Sequence, residues 1–342
     1  MPAMSESELK VKIKSSPVGA YLFYGEESYL VGVYTDMLIK ATVDESFADF
    51  NLHIFDSDDP DLSGIYESVS SVPVMAQSKC VVVKNYPVEA AGEGDFKALE
   101  QMLEDNPPDN CLIFAYPSFQ PKTSDATKLS KLFSKYGVSV KFDKKSEQDL
   151  IKIVEKGAAK RGKKFERGAS ALFVNNVGEN LNLLVNELEK VCAYAQGDIT
   201  KADIEAVCIK SLDANVFYMV NDLVRGNFDK AFHTLSDLFE SREDEYKILG
   251  AVISQYSDMY RAKAAFSAGA PVSAVAQAYP GYAGKEFRLT KALGSAKSMS
   301  LEKLGECISI LSQADIRLKS TQDDKRSVLE QTLVKLARAA AK

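Results

Sequence analysis

Strand and helix patterns alternate over the first 143 residues, and helical periodicity then runs almost unbroken to the end of the chain. Together they predict an α/β domain joined to all-helical domains. The length agrees, because 342 residues exceed what one ordinary core spans and favour two or three domains. The opening stretch GAYLFYGEESYLVGVYTDMLIKA, Gly19 to Ala41, reads as a strand at Tyr21–Tyr24, a tight loop at Gly25, Glu26 and Glu27, and a helix carrying Leu30, Val33, Tyr34, Met37 and Leu38. NLHIF (Asn51–Phe55), CVVVK (Cys80–Lys84), CLIFA (Cys111–Ala115) and VSVKF (Val138–Phe142) are short β-rich runs bounded by turn residues. Helical patterns lie between them at about Glu26–Ala41, Asp61–Ser70, Asp95–Glu104 and Asp125–Tyr136. Strands this apolar are covered on both faces, which implies a mostly parallel sheet with helices on either side.

From Ser146 the strand runs stop. The segment to about Leu212 reads as three or four short helices punctuated by Gly162, Gly178 and Gly197, a small helical domain. Beyond it, NVFYMVNDLVRGNFDKAFHTLSDLFES sets Phe217, Val220 and Val224 on one face, breaks at Gly226, and resumes with Phe228, Phe232, Leu235 and Phe239. That is a helical hairpin with opposed apolar faces, and the pattern continues as an all-α domain of five or six helices. The predicted divisions are therefore 1–143, 144–212 and 213–342.

Composition narrows the function. Hydrophobic residues make up 46% and charged residues 26% of the chain, as in globular proteins that do not enter membranes. The N-terminus MPAMSESELKVKIKSSP has no apolar core of signal-peptide length, and no run of about eighteen apolar residues occurs, so a cytoplasmic protein is expected. The five cysteines Cys80, Cys111, Cys192, Cys208 and Cys307 form no C-x-x-C pair, and most lie in apolar runs where a thiol simply packs. No metal or cofactor is expected from them. A net charge of −6 argues against a surface built to grip nucleic acid throughout, though not against a local basic face. The two histidines, His53 and His233, have no Ser or Cys nearby in a catalytic arrangement.

The loop after the first strand sits where many domains cradle a nucleotide phosphate. Such a loop needs several glycines to expose backbone N–H groups, a Lys for the phosphate and a Ser or Thr for magnesium. This one has a single glycine and two carboxylates. An ATPase of this layout would also place acidic residues beyond the third strand, yet CVVVKNYP ends in Lys84, Asn85 and Tyr86, with no carboxylate until Glu89. After the fourth strand only Ser118 offers a polar sensor. All three elements are missing together.

Five stretches in order, YLFYGEESYL, SVPVMAQSKCVVVKN, LVNELEKVCAYA, VFYMVNDLVRGNFDKAF and DIRLKS followed by LEQTLVKL, resemble the delta subunits of bacterial DNA polymerase III. The wider layout, an α/β domain, a small helical lid and a C-terminal helical collar, is similar to the AAA+ clamp-loader subunits. The resemblance implies an AAA+-like chain that keeps the ATPase architecture without binding ATP. It implies partners as well: the sliding clamp (beta subunit), the ATPase and delta-prime loader subunits through the collar, and primed DNA within the complex at the nucleoid-associated replisome. No ATPase activity is expected of the chain alone; only as part of DNA polymerase III would it be classed with DNA-directed DNA polymerases. Two other readings stay open on the residues: a working AAA+ ATPase with an atypical phosphate loop, and a helical scaffold protein outside replication.

The stretch SVPVMAQSK, Ser71–Lys79, sets Val72, Val74 and Met75 around Pro73, which cannot continue a helix. In a short connector such side chains either tuck under the sheet or protrude as a wedge. The resemblance implies the wedge, since delta subunits insert two adjacent apolar residues from this region into a hydrophobic pocket of the clamp. The pair maps to Val74 and Met75, with Val72 and Pro73 beside it, and is smaller than the commoner Leu-Phe pair. The basic cluster KRGKKFER, with Lys160, Arg161, Lys163 and Lys164, either faces DNA phosphates or forms a solvated helix end.

Overall fold

In the computed structural model the described residues are 4–56, 61–118, 121–282, 286–320 and 322–341. The chain divides into two compact units, Met1–Lys145 and Ser146–Lys342.

The first unit opens with α1 (Glu6–Ser15), whose N-terminus is closed by a reciprocal capping box between Ser5 and Glu8. Then come β1 (Gly19–Tyr24), α2 (Ser28–Thr42), a one-turn α3 (Ala48–Asn51), β2 (Leu52–Asp56), α4 (Leu62–Ser70), β3 (Lys79–Lys84), α5 (Glu93–Glu104), β4 (Asn110–Ala115), α6 (Thr123–Tyr136) and β5 (Val138–Lys141). The five strands form one parallel sheet in the order β2-β3-β4-β1-β5, with helices between successive strands as the sequence predicts. All six residues of the central β4 are buried, which is why its sequence is a continuous apolar run rather than an alternating one. Leu22, Val83, Leu112 and Phe114 pack with Ile65, Leu99, Met102, Leu129 and Phe133 from α4, α5 and α6. Elsewhere in the sheet Phe23 meets Phe142 edge-on at 5.7 Å, and Phe142 stacks on Tyr34 of α2 at 5.1 Å. The unforeseen α1 is tied down by Glu6, which accepts from the Tyr34 hydroxyl (2.8 Å) and pairs with Lys145 (2.6 Å).

The second unit is helical. It begins with α7 (Glu147–Lys160), α8 (Ala169–Val177), α9 (Leu181–Tyr194) and α10 (Lys201–Val207). It continues with α11 (Leu212–Arg225), α12 (Phe228–Glu240), α13 (Glu245–Ser267), α14 (Val272–Ala278), α15 (Glu286–Ser295), α16 (Leu301–Ser320) and α17 (Lys325–Ala341). The α11–α12 hairpin turns at Gly226, which takes φ 80°, a left-handed conformation that costs glycine nothing. Val220, Leu223, Leu235, Tyr256, Met259, Leu311 and Leu336 share one core. The described part of this region holds seven helices where five or six are expected. The extra one, α14, follows a break at Gly269 and Pro271, short enough to read as part of its neighbour. Cys80, Cys111, Cys192 and Cys307 are buried free thiols, packed as the apolar runs around them require. Among the described residues no helix is long and apolar enough to cross a membrane.

Candidate functional site

The connector between α4 and β3 lies at the N-terminal ends of the strands and beside the edge strand β2. Helix α4 stops at Ser71, whose N–H still donates to Glu67 O (3.0 Å), and Pro73 prevents another turn. At the far foot, Lys79 is 1% exposed. Its ammonium donates to Ser68 O and to Ser71 Oγ (2.8 Å), tying the end of the loop to its beginning. Burial lowers its pKa, partly offset by the Asp109 carboxylate. Ser78 Oγ donates to Thr42 O (2.5 Å).

The middle of the loop is held by the fully buried Asn51, at the end of α3. Its Oδ1 accepts from the Val74 N–H (2.8 Å), and its Nδ2 donates to Val74 O (2.8 Å) and Phe47 O (3.1 Å). The next residue, Met75, takes φ 53°, a conformation disfavoured for a residue with a long side chain and held only where its surroundings impose it.

The resulting loop turns its backbone inward and its apolar side chains outward. Val72 is 78% exposed, Val74 43% and Met75 82%, while Pro73 is half-buried. Of the two positions open to these side chains from sequence, they occupy the protruding one. Phe50, next to Asn51, is exposed as well, and so is Ile54 on β2. Sequence reasoning passes over Asn51, Lys79 and Phe50. A Lys opening an apolar strand run is the one visible signal, since Asn51 meets its partner only in the folded chain.

The opposite, C-terminal ends of the strands carry the place of the absent phosphate loop. Gly25 takes φ 127° and lies so close to the Phe142 backbone that a β-carbon would collide with it. The Glu27 N–H donates to Phe142 O (2.9 Å), and Phe142 N–H donates to Tyr24 O (2.8 Å). The Glu27 side chain is 8% exposed. Burial raises its pKa, while Lys144, Lys145 and a hydrogen bond from the Tyr29 backbone pull it down. The N-cap of α2 is thus occupied by a buried carboxyl of the chain's own, where a phosphate would seek N–H groups and positive potential.

At the neighbouring strand ends, Asn85 Oδ1 accepts from the Ser118 N–H (3.2 Å). Glu89 pairs with Lys122 (3.1 Å) and accepts its N–H (3.2 Å). Among the described residues, no cluster of three or more His, Cys, Asp or Glu could hold a metal ion.

In the second unit, Lys160 ends α7 and Arg161 caps it. Arg161 pairs with Glu189 (2.6 Å) and donates to Gly157 O (3.1 Å), and Lys163 Nζ donates to Ala195 O (2.6 Å). These two spend their charge within the helical fold; Lys160 and Lys164 are exposed. On the later helices, Phe228, Phe232, Val334, Ala337 and Arg338 line an open apolar groove, and Phe266 and Ile316 are exposed.

Comparison with known proteins gives one consistent result. The family described as DNA polymerase III, delta subunit, matches residues 21–143, and that described as DNA polymerase III delta subunit, C-terminal domain, matches 213–336. The chain is 24% identical over 328 residues to the DNA polymerase III subunit delta of Bacillus subtilis (strain 168), covering 92% of each. It is 23% identical over 258 residues to the probable DNA polymerase III subunit delta of Aquifex aeolicus (strain VF5), covering 71% of this chain and 70% of that one. Among solved structures, the Bacillus subtilis DNA clamp loader delta protein superposes with a TM-score of 0.61 at 22% identity, covering 97% of this chain and 99% of that one.

Proposed function

The chain belongs to the DNA polymerase III delta-subunit family, and on that premise we propose that it is the non-catalytic clamp-loader subunit that captures the sliding clamp and holds its ring open for loading onto primed DNA. The observation that carries this reading is the anchored loop with Val72, Val74 and Met75 in solvent. A fold that pins the backbone of such a loop and leaves its apolar side chains uncovered has built a docking point for another protein. Filling a hydrophobic pocket with Val74 and Met75 is worth about 3–5 kcal/mol by area, less the cost of association. Opening needs no chemistry from the subunit. It has only to bind the opened ring more tightly than the closed one, and the difference in affinity shifts the ring's equilibrium.

The remaining roles follow the division into 1–143, 144–212 and 213–342. The last segment is a collar that joins the ATPase and delta-prime subunits by burying apolar helix faces between chains. Lys160 and Lys164 are the members of the basic cluster disposed to meet DNA phosphates; Arg161 and Lys163 support the lid. The chain takes no nucleotide, because the Glu27 carboxyl is buried at the N-cap of α2 and the loop backbone is bonded to Phe142. It works in the cytoplasm at the replisome.

The test uses the purified full chain, purified sliding clamp and a labelled ATP analogue. A stable complex with the clamp and no saturable nucleotide signal are expected. Saturable nucleotide binding without clamp binding would revive the ATPase reading, and neither activity would favour a scaffold outside replication.

A further inference from the structure

Resting on the clamp-binding reading above, we infer that Asn51 is the positioning residue that pre-forms the docking loop, holding Val74 and Met75 outward before the clamp arrives. The carboxamide uses both of its faces. Its amide orientation is unambiguous, because Val74 O and Phe47 O each require a donor and the Val74 N–H requires an acceptor. No other side chain of that size supplies this combination, since Asp would turn oxygens toward two carbonyls and Leu would offer nothing.

The bonds fall on the main chain of the residue whose side chain protrudes, one position before the left-handed Met75. The loop feet are tied separately, by Lys79 to Ser68 and Ser71 and by Ser78 to Thr42. Asn51 therefore fixes the middle of the loop, where direction is decided, and not its ends. Without it, the Val74 N–H and C=O would turn to water, and nothing beside Met75 would keep its φ positive. The loop would then visit the docking geometry only part of the time, and a partner that needs that geometry binds in proportion to the fraction present.

A loop formed in advance is distinguished from a merely filled polar site by kinetics. In the full chain, Asn51→Ala should lower the association rate with purified sliding clamp about tenfold, the factor by which the binding-ready fraction falls. The dissociation rate should stay near wild type once the active fraction has been measured by titration. The double substitution Val74→Ser with Met75→Ser should instead raise the dissociation rate, because it removes the side chains that fill the pocket. An unchanged association rate for Asn51→Ala, or an effect that falls on the dissociation rate instead, overturns the inference.

Hydrogen exchange of the Val74 amide in the wild-type chain requires neither a folded variant nor the clamp. Protection comparable to the neighbouring strand is expected, and exchange at the rate of an open loop contradicts the role given to Asn51. If the amide is protected but the double variant binds the clamp normally, the clamp reading fails while the pre-formed loop stands.

Discussion

At the C-terminal ends of the strands, the chain's polar groups are turned on one another: Glu27 N–H to Phe142, Phe142 N–H to Tyr24, Ser118 N–H to Asn85. At the N-terminal ends the backbone is equally well bonded, by Asn51, Ser78 and Lys79, but the apolar side chains of the connector face water. The loops at both ends have their backbones held by hydrogen bonds, so the difference between them is one of side chains. The end where nucleotides bind in sheets of this kind is closed by the protein's own hydrogen bonds; the other displays apolar side chains to solvent. On the proposed function, the sheet serves as a mount for the docking loop at one end, while the other end is closed on itself.

The comparison breaks most completely if the two compact units are separated. Residues 146–342 expressed alone should join the loader subunits yet show no affinity for the clamp, because the displayed loop is in the other unit. Co-elution with the clamp would relocate the docking surface.

Next in size is Gly25→Ala. A β-carbon at φ 127° and against Phe142 should destabilise the first unit by about 3 kcal/mol, combining backbone strain and overpacking. Denaturant titration should show a lower midpoint at unchanged slope, with the clamp affinity of the folded fraction intact. No loss of stability would mean that the crest is looser than its hydrogen bonds suggest.

Glu27→Gln addresses the same crest through charge. The Glu27 pKa is raised in the fold above its usual 4.5, so the folded state holds the proton more tightly than the unfolded state. Stability is therefore lost as pH rises from about 4.5 through the folded pKa. The variant should flatten that slope and be at least as stable as wild type above the folded pKa. An unchanged slope would remove Glu27 from the account.

The smallest effects belong to the basic cluster. Lys160→Ala with Lys164→Ala should reduce the salt dependence of loader binding to DNA by roughly one counterion for each phosphate no longer neutralised and leave stability alone. Arg161→Ala should cost up to about 1 kcal/mol, as expected for a partly exposed ion pair. The opposite pattern would exchange their roles.

Much of this is legible in the sequence. The central strands β1, β3 and β4 are buried on both faces, so they announce themselves as unbroken apolar runs, and Gly226 marks its hairpin. Helix α1 escapes notice although Ser5 and Glu8 spell a capping box, because its apolar face is only Leu9 and Ile13. The connector is recognisable at Pro73, but whether Val74 and Met75 lie inside or outside is not. Their direction is set by Asn51, which is 23 residues away and gives no local pattern. Likewise Glu27 reads simply as a carboxylate in the wrong place, since burial at the first turn of α2 depends on β5 lying beside β1.

The most direct test is to replace Val74 and Met75 together by Ser in the full chain and to measure clamp affinity and melting temperature on the same sample. Removing about 3 kcal/mol of apolar burial at about 1.4 kcal/mol per tenfold weakens binding by roughly two orders of magnitude. The melting temperature should stay close to the wild-type value, because Met75 is 82% and Val74 43% exposed and little buried surface is lost on becoming polar. A large fall in melting temperature, with binding lost only through unfolding, would show that the pair belongs to the core and would contradict the account.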